Sequence, residues 1–389
     1  MTIARTDQSH VAQWWFTVDR VLLTAILVLV GAGLVLSLAA SPAMAIKRGL
    51  PVFYFATRHA AFAVLAGGLI VGLALLAPRP MRRLCLALLI VAIGSMVAVL
   101  WIGPEINGAR RWLRLGSHSF QPSEVAKPAF VVVQAWLLAE AQSRQGVPAL
   151  GLSLGIFAAF ATLLVLEPDI GQTLLVSAVW GAMLFLSGLP VRWAAGLAGL
   201  AVTGVTGAYA YFPHVHDRID RYLNPATGDN YQVERALQAI REGGLLGRGP
   251  GEGTVKTVLP DAHTDFIFAV IAEEYGAVMC LVIVGLIAFV TIRAFARALG
   301  TDEPFARNAI VGLALLFALQ AAINMAVNTG LMPAKGMTLP FISYGGSSMV
   351  ALAVTMGLLV GLARRPPARF LASGATRVTT IGHAERTVW

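Results

Sequence analysis

The residues best suited to chemistry in this sequence stand at the edges of long apolar runs. Asp265 is next to last in the segment Leu259-Pro260-Asp261-Ala262-His263-Thr264-Asp265-Phe266, directly before the run that begins at Phe266. A carboxylate there could take a proton from a hydroxyl nucleophile. It could equally cap the helix that follows. Arg110, Arg111 and Arg114 lie in Asn107–Gly116. Arginine forks match phosphate oxygens, and the plainer alternative is an anchor helix on anionic headgroups, with Trp112 at their level. If that segment is helical, Arg110 and Arg114 share a face. Glu124 and Lys127 follow Pro122, three residues apart and so on one helical face. They read equally well as a structural pair or as substrate contacts. Glu167-Pro168-Asp169-Ile170-Gly171-Gln172-Thr173 is a sharp turn in which Asp169 could cap the next helix.

The last such segment, Asn328–Ser348, breaks apolar sequence with Gly330, Pro333, Gly336, Pro340, Gly345 and Gly346. Irregular backbone at membrane depth is tolerated where it lines a cavity. Small residues can also serve helix packing alone, but Lys335 and Tyr344 are not packing residues. The glycine-rich stretch Gly243–Gly253 lacks a Gly-Lys-Ser/Thr ending and a preceding strand, so it is no nucleotide loop. It predicts flexible backbone that approaches a ligand.

These groups need elements to hold them, and composition says which. The 389 residues are 57% hydrophobic and 13% charged, against about a quarter charged in soluble domains. Apolar runs recur at 21–40, 60–77, 84–102, 125–141, 149–166, 172–188, 193–212, 266–292, 309–332 and 341–363. That predicts an all-α polytopic membrane protein with about ten transmembrane helices. The net charge of +9 sits in basic flanks of these spans, so no nucleic-acid partner is expected. Apart from the long segment 213–265, Lys and Arg concentrate on the side of the termini. Both termini are therefore expected in the cytoplasm, with 213–265 as one long periplasmic loop. Ala43-Met44-Ala45 resembles a signal-peptidase site, but the run before it is longer than a signal core, and a retained anchor is expected. Cys85 and Cys280 fall in apolar runs and predict neither a disulfide framework nor a metal site. The expected organisation is a cytoplasmic tail over 1–18, one membrane domain over 19–365 and a second tail over 366–389. On this topology the acids and cations named above gather at the outer side, as a polar site open to the periplasm.

The Asn328–Ser348 segment resembles the signature of the SEDS family (shape, elongation, division and sporulation), membrane glycosyltransferases that polymerise peptidoglycan. Asn107–Gly116 with Gln121–Lys127, Glu167–Thr173 and Leu259–Phe266 match further family motifs in order, and the resemblance runs from about Asp19 to Arg365. Pro333-Ala334-Lys335-Gly336 is similar to the cell-division branch; the elongation branch usually has Thr-Gly at the last two positions. Glu167 stands where many members have Gln, Gln172 intrudes in a usual Gly-Thr pair, Asp261 replaces a common Glu, and Ala334 replaces a common Thr.

The resemblance implies ten spans with cytoplasmic termini, in the bacterial inner membrane at the division septum. It implies lipid II as substrate, joined with inversion at the anomeric carbon and with undecaprenyl pyrophosphate leaving. Asp265 matches the family's proposed catalytic acid residue, as the base for the acceptor hydroxyl. Arg111, Lys127 and Lys335 are the candidates for stabilising the pyrophosphate, with Glu124 and His263 orienting them. Ser343, Tyr344, Gly345 and Gly346 would line the cavity. A divalent cation (Mg or Mn) could share the charge, although no ligand cluster in the sequence requires one. A class B penicillin-binding protein, other membrane proteins of the division complex and membrane lipids are the implied partners. Two other classes stay open: a lipid II flippase, which needs polar groups near the midplane, and a scaffold without catalysis.

Overall fold

The computed structural model describes residues 9–106, 108–116, 118–143, 148–188, 231–333 and 336–364, with isolated positions between 196 and 220. The expected span at 193–212 and the expected tail at 366–389 lie outside the described residues, isolated positions of the span aside. The helices are α1 (His10–Thr17), α2 (Arg20–Lys47), α3 (Tyr54–Ala74) and α4 (Pro78–Ile102), then α5 (Pro122–Ser143), α6 (Ala149–Leu166) and α7 (Ile170–Leu186). After these come α8 (Tyr231–Gly243), α9 (Ile267–Leu299), α10 (Pro304–Asn328) and α11 (Gly346–Leu362). Among the described residues, α2, α3, α4, α6, α9 and α10 are long and apolar enough to cross a membrane, and α7 and α11 are shorter apolar helices. α2 runs unbroken through Ala43-Met44-Ala45.

Local sequence starts these helices where it should. Asp19 accepts the Leu22 N–H at 3.2 Å to begin α2, and prolines open α4 and α10 at their first positions. α11 is apolar all round and buried along nearly its whole length, the mark of a central helix. It packs on α3, α5 and α10. A Cβ at Gly357 would stand 3.1 Å from Ile70 Cα, so glycine sets how closely α3 and α11 approach.

The chain enters and leaves the bundle at one end. Arg364 Nε donates to Thr17 Oγ1 at 3.1 Å, and Asp19 is paired with Arg293 at 2.9 Å and with Arg297. Burial opposes ionisation of Asp19, but these two guanidiniums and the Leu22 N–H outweigh it and bring its carboxyl down to about 2.

The described residues of Asn107–Gly116 take the extended rather than the helical alternative. Glu105–Ile106 (β1) pairs with Ala109–Arg110 (β2), and Leu113–Leu115 (β3) with His118–Phe120 (β4), both antiparallel. Gly108 at φ +74° and Gly116 at φ +62° supply the left-handed turn positions. Asn107-Gly108 is itself a strong two-residue hairpin signal. Arg110 consequently pairs with Glu105, at 3.7 Å, rather than sharing a face with Arg114.

Candidate active site

At the other end, the first turns of α5, α7, α9 and α11 meet the last turns of α6 and α10. Lys127 and Glu124 sit in the first turns of α5, both buried. Lys127 Nζ donates to Glu124 Oε1 at 3.0 Å, Gln172 Oε1 at 2.9 Å and Gln320 Oε1 at 3.2 Å. An ammonium has three N–H donors, so Lys127 is fully occupied by protein. Gln172 Nε2 returns a bond to Glu124 at 2.7 Å, and Gln320 Nε2 reaches Thr338 at 3.3 Å.

Arg111 holds the 167–169 turn. Its Nε donates to the Glu167 carbonyl at 2.8 Å, its Nη2 to the Pro168 carbonyl, and its Nη1 lies 3.8 Å from Asp169 Oδ2. Asp169 caps α7 through the Gln172 N–H at 3.3 Å, as the sequence suggested, and also accepts from Gln121 Nε2 at 3.3 Å. The Gln121 N–H continues the chain to Ser347 Oγ on α11, at 3.1 Å. Glu167 is fully buried, and among the described residues neither carboxyl oxygen has a partner. Burial and the Asp169 carboxylate push it up to about 8, against the pull of Arg111. Burial likewise raises Asp169, with Arg111 opposing.

Asp265 stands on the turn before α9. The α9 start is not capped by a side chain at Phe266; instead Asn328 Oδ1, across on α10, accepts the Ala269 N–H at 3.0 Å. Asn324 and Asn328 both donate to the Asp265 carbonyl, at 2.8 and 2.9 Å. Burial and the neighbouring Asp261 carboxylate push the Asp265 carboxyl up to about 7. A Cβ on Gly336 (φ +64°) would stand 3.7 Å from Asp265 Oδ2, so the Gly336 backbone lies beside the carboxylate.

The 336–345 segment is strapped to this turn. Ser343 Oγ donates to the Thr264 carbonyl and accepts the Leu339 N–H at 2.7 Å. The Tyr344 N–H donates to the His263 carbonyl at 2.9 Å. His263 is buried between Phe55, at 4.8 Å, and Tyr344, at 5.6 Å, and burial with Arg48 nearby lowers it to about 4. It is therefore a neutral aromatic packing residue near neutral pH. Gly346 lets the Phe62 ring approach, because a Cβ there would meet the ring at 2.6 Å. Gly345 precedes α11, close to Ser348 and Thr338. Lys335 lies outside the described residues.

The sequence reading missed three features here. Gln320, Asn324 and Asn328 recur every four residues along apolar α10 and form one amide stripe joining Lys127 to Asp265; that spacing was the available signal. Arg48 and Arg58 flank Tyr344: Arg58 lies 4.5 Å over the Tyr54 ring and hydrogen-bonds Tyr344, and Arg48 lies 5.6 Å over Phe55. The third is the role of the glycine-rich loop. α9 is broken at Gly276 (φ +78°, ψ 178°), and the loop after α8 docks into the break. The Arg248 and Gly249 N–H groups donate to the Glu273 and Glu274 carbonyls at 2.9 and 3.0 Å, and the Ala277 N–H donates to the Gly244 carbonyl at 2.9 Å. Gly243 and Gly247 allow this backbone-to-backbone approach. The Glu273 carboxylate accepts the N–H groups of Thr254, Val255 and Lys256, while the Lys256 ammonium pairs with Glu274.

Among the described residues no group of three or more His, Cys, Asp or Glu is placed to hold a metal. An apolar groove of about 400 Å³ between α4 and α6, lined by Ile93, Gly151 and Gly155 among others, lies away from all of these polar groups.

The profile of the FtsW/RodA/SpoVE family, described as cell cycle protein, matches residues 20–366. A Caulobacter vibrioides protein named probable peptidoglycan glycosyltransferase FtsW is 44% identical over 372 residues, covering 95% of both chains. A Trichlorobacter lovleyi protein of the same name is 36% identical over 358 residues, covering 88% of this chain and 92% of its own. Among solved structures, a chain from "Structural coordination of polymerization and crosslinking by a peptidoglycan synthase complex" superposes with a TM-score of 0.74 at 29% identity, over 90% of this chain and 98% of that one. The crystal structure of Thermus thermophilus rod shape determining protein RodA gives 0.67 at 29% identity, over 90% and 97%. With its helices, motifs and site in the matched span, the chain belongs to the FtsW/RodA/SpoVE family of cell cycle proteins.

Proposed function

We propose that this chain is a peptidoglycan glycosyltransferase that polymerises lipid II during septal cell-wall synthesis. The observation that carries the reading is the state of Asp265: its carboxyl is not used as the α9 cap, and its environment brings it to about 7. A base poised near the working pH is suited to proton transfer. The Asp265 carboxylate takes the proton of the acceptor sugar hydroxyl. That oxygen attacks the donor's anomeric carbon from the face opposite the pyrophosphate, a new C–O bond forms with inversion, and undecaprenyl pyrophosphate departs with the bonding electrons.

The leaving group develops negative charge, which fixed cations stabilise. Arg111 and Lys335 remain candidates, with Arg48 and Arg58 added by their place beside Tyr344. Lys127 is better suited to holding Glu124, Gln172 and Gln320 in place, because its three donors are used. A divalent ion would supplement these cations by sharing the charge of the pyrophosphate.

Both termini are assigned to the cytoplasm and the Asp265 end to the periplasm, at the septum of the inner membrane. Arg364 and Thr17 share one end of the bundle, and the acids and cations of the site gather at the other. A class B penicillin-binding protein is the expected partner, with other division-complex membrane proteins around it. The testing experiment is polymerisation of labelled lipid II by the purified chain, alone and with its transpeptidase. Long glycan strands from the complex support the reading; movement of lipid II across vesicles without polymer would replace it with the flippase.

A further inference from the structure

A helix that begins at Ile267 leaves its first-turn N–H groups without partners inside the helix. An acid just before it is the usual solution, and Asp265 is in the right stretch of sequence. The chain solves the problem differently. Asn328, the last residue of α10, accepts the Ala269 N–H through Oδ1 at 3.0 Å. The same side chain donates through Nδ2 to the Asp265 carbonyl at 2.9 Å and to the Asn324 carbonyl at 2.9 Å. Asn324 adds a second donor to the Asp265 carbonyl at 2.8 Å and one to Met337 at 2.6 Å. Both amides are buried. Asp265 is thus gripped by its backbone from a neighbouring helix, while the capping of α9 is done by that neighbour.

We propose that Asn328 is a positioning residue for glycosyl transfer: it caps α9 from α10, and so keeps the Asp265 carboxylate out of the helix terminus and available to the acceptor hydroxyl. The inference rests on the lipid II polymerase reading. Its logic is electrostatic. A carboxylate that accepts helix N–H bonds is held in its charged form and becomes a weaker base. Without Asn328, the Asp265 carboxylate, two residues before α9, is an acid in the stretch from which first-turn N–H groups are usually capped.

Among the described residues, the titratable and charged groups around this turn are Asp261, His263 and Tyr344, with Arg48 and Arg58 behind the last two. Asp261 lies on the same turn. His263 and Tyr344 stack on each other beside it, and His263 is neutral near pH 7. α10 presents the uncharged Gln320, Asn324 and Asn328, and Lys335 lies outside the described residues.

The test is the pH dependence of polymerisation by Asn328→Ala and Asn328→Asp in the complex with the transpeptidase. It is set beside the carboxyl titration of Asp265, read by infrared difference against Asp265→Asn, which needs no substrate. For Asn328→Ala, the acid limb and the titration both move down by about one pH unit or more, and the plateau rate falls. Asn328→Asp keeps an acceptor for Ala269 but adds a negative charge, so both move up. If Asn328→Ala does not fold, Asn328→Asp decides alone. Slower variants whose limb and titration stay at the wild-type pH would overturn the proposal and leave Asn328 a packing residue. Absence of polymer from the wild-type complex would instead overturn the polymerase reading, while the titration still judges the cap.

Discussion

Lys127 Nζ lies 3.0 Å from Glu124 Oε1, one turn apart on α5 and both out of solvent. Removing one member of such a pair leaves the other charge buried and uncompensated, at a cost of about 3–5 kcal/mol. Lys127→Met is therefore expected to lower thermal stability sharply, and adding Glu124→Gln to restore most of it. Thermal unfolding of both variants in one detergent checks this. A Lys127→Met protein as stable as the wild type would mean that Lys127 serves a ligand rather than the bundle.

Glu167 gives a pH signature. Its carboxyl binds a proton up to about pH 8 in the folded protein, but only to about 4.5 when exposed to solvent. Between those values the folded state holds one proton more than the unfolded state, so stability falls as pH rises. Glu167→Gln removes that slope. Unfolding temperatures measured from pH 5 to pH 9 should decline less in the variant, and parallel curves would exclude a neutral Glu167.

Gly276 should not accept a side chain. At φ +78° and ψ 178° it occupies backbone space open essentially to glycine, and a Cβ would meet the Leu245 carbonyl oxygen at 2.2 Å. Gly276→Ala is expected to cost about 1–3 kcal/mol from strain alone, and to expose the 243–257 loop to protease. Unchanged stability and proteolysis would mean that the loop does not dock at the break.

Much of this architecture was legible in the sequence, because long apolar runs bounded by Pro, Asp and Gly admit few other structures. The apolar runs put the starts of α4 and α10 at 84 and 309 and the helices begin earlier, at Pro78 and Pro304, whereas the helix start at Asp19 follows from local capping chemistry. The Asp169 cap was legible for the same reason. In Asn107–Gly116 the arginine spacing fits a helix as well, and only the pairing of Glu105–Ile106 with Ala109–Arg110 shows that the segment is extended. The cap of α9 could not be read locally: Asn328 lies 59 residues from Ala269 in sequence, and only the packing of α9 on α10 joins them. The glycine-rich loop was legible as close-approaching backbone, but what it approaches is the break at Gly276, a tertiary fact.

One substitution separates a base from a structural role at Asp265. Asn caps helices about as well as Asp, yet it cannot accept a proton at useful pH. The measurement is the rate and length of glycan made from labelled lipid II by the Asp265→Asn complex, beside its unfolding temperature. The expected result is a folded, partner-bound protein whose rate is down on the order of a hundred- to ten-thousand-fold, with partial activity in Asp265→Glu. Polymerisation by Asp265→Asn at close to the wild-type rate would contradict it and return Asp265 to a structural role.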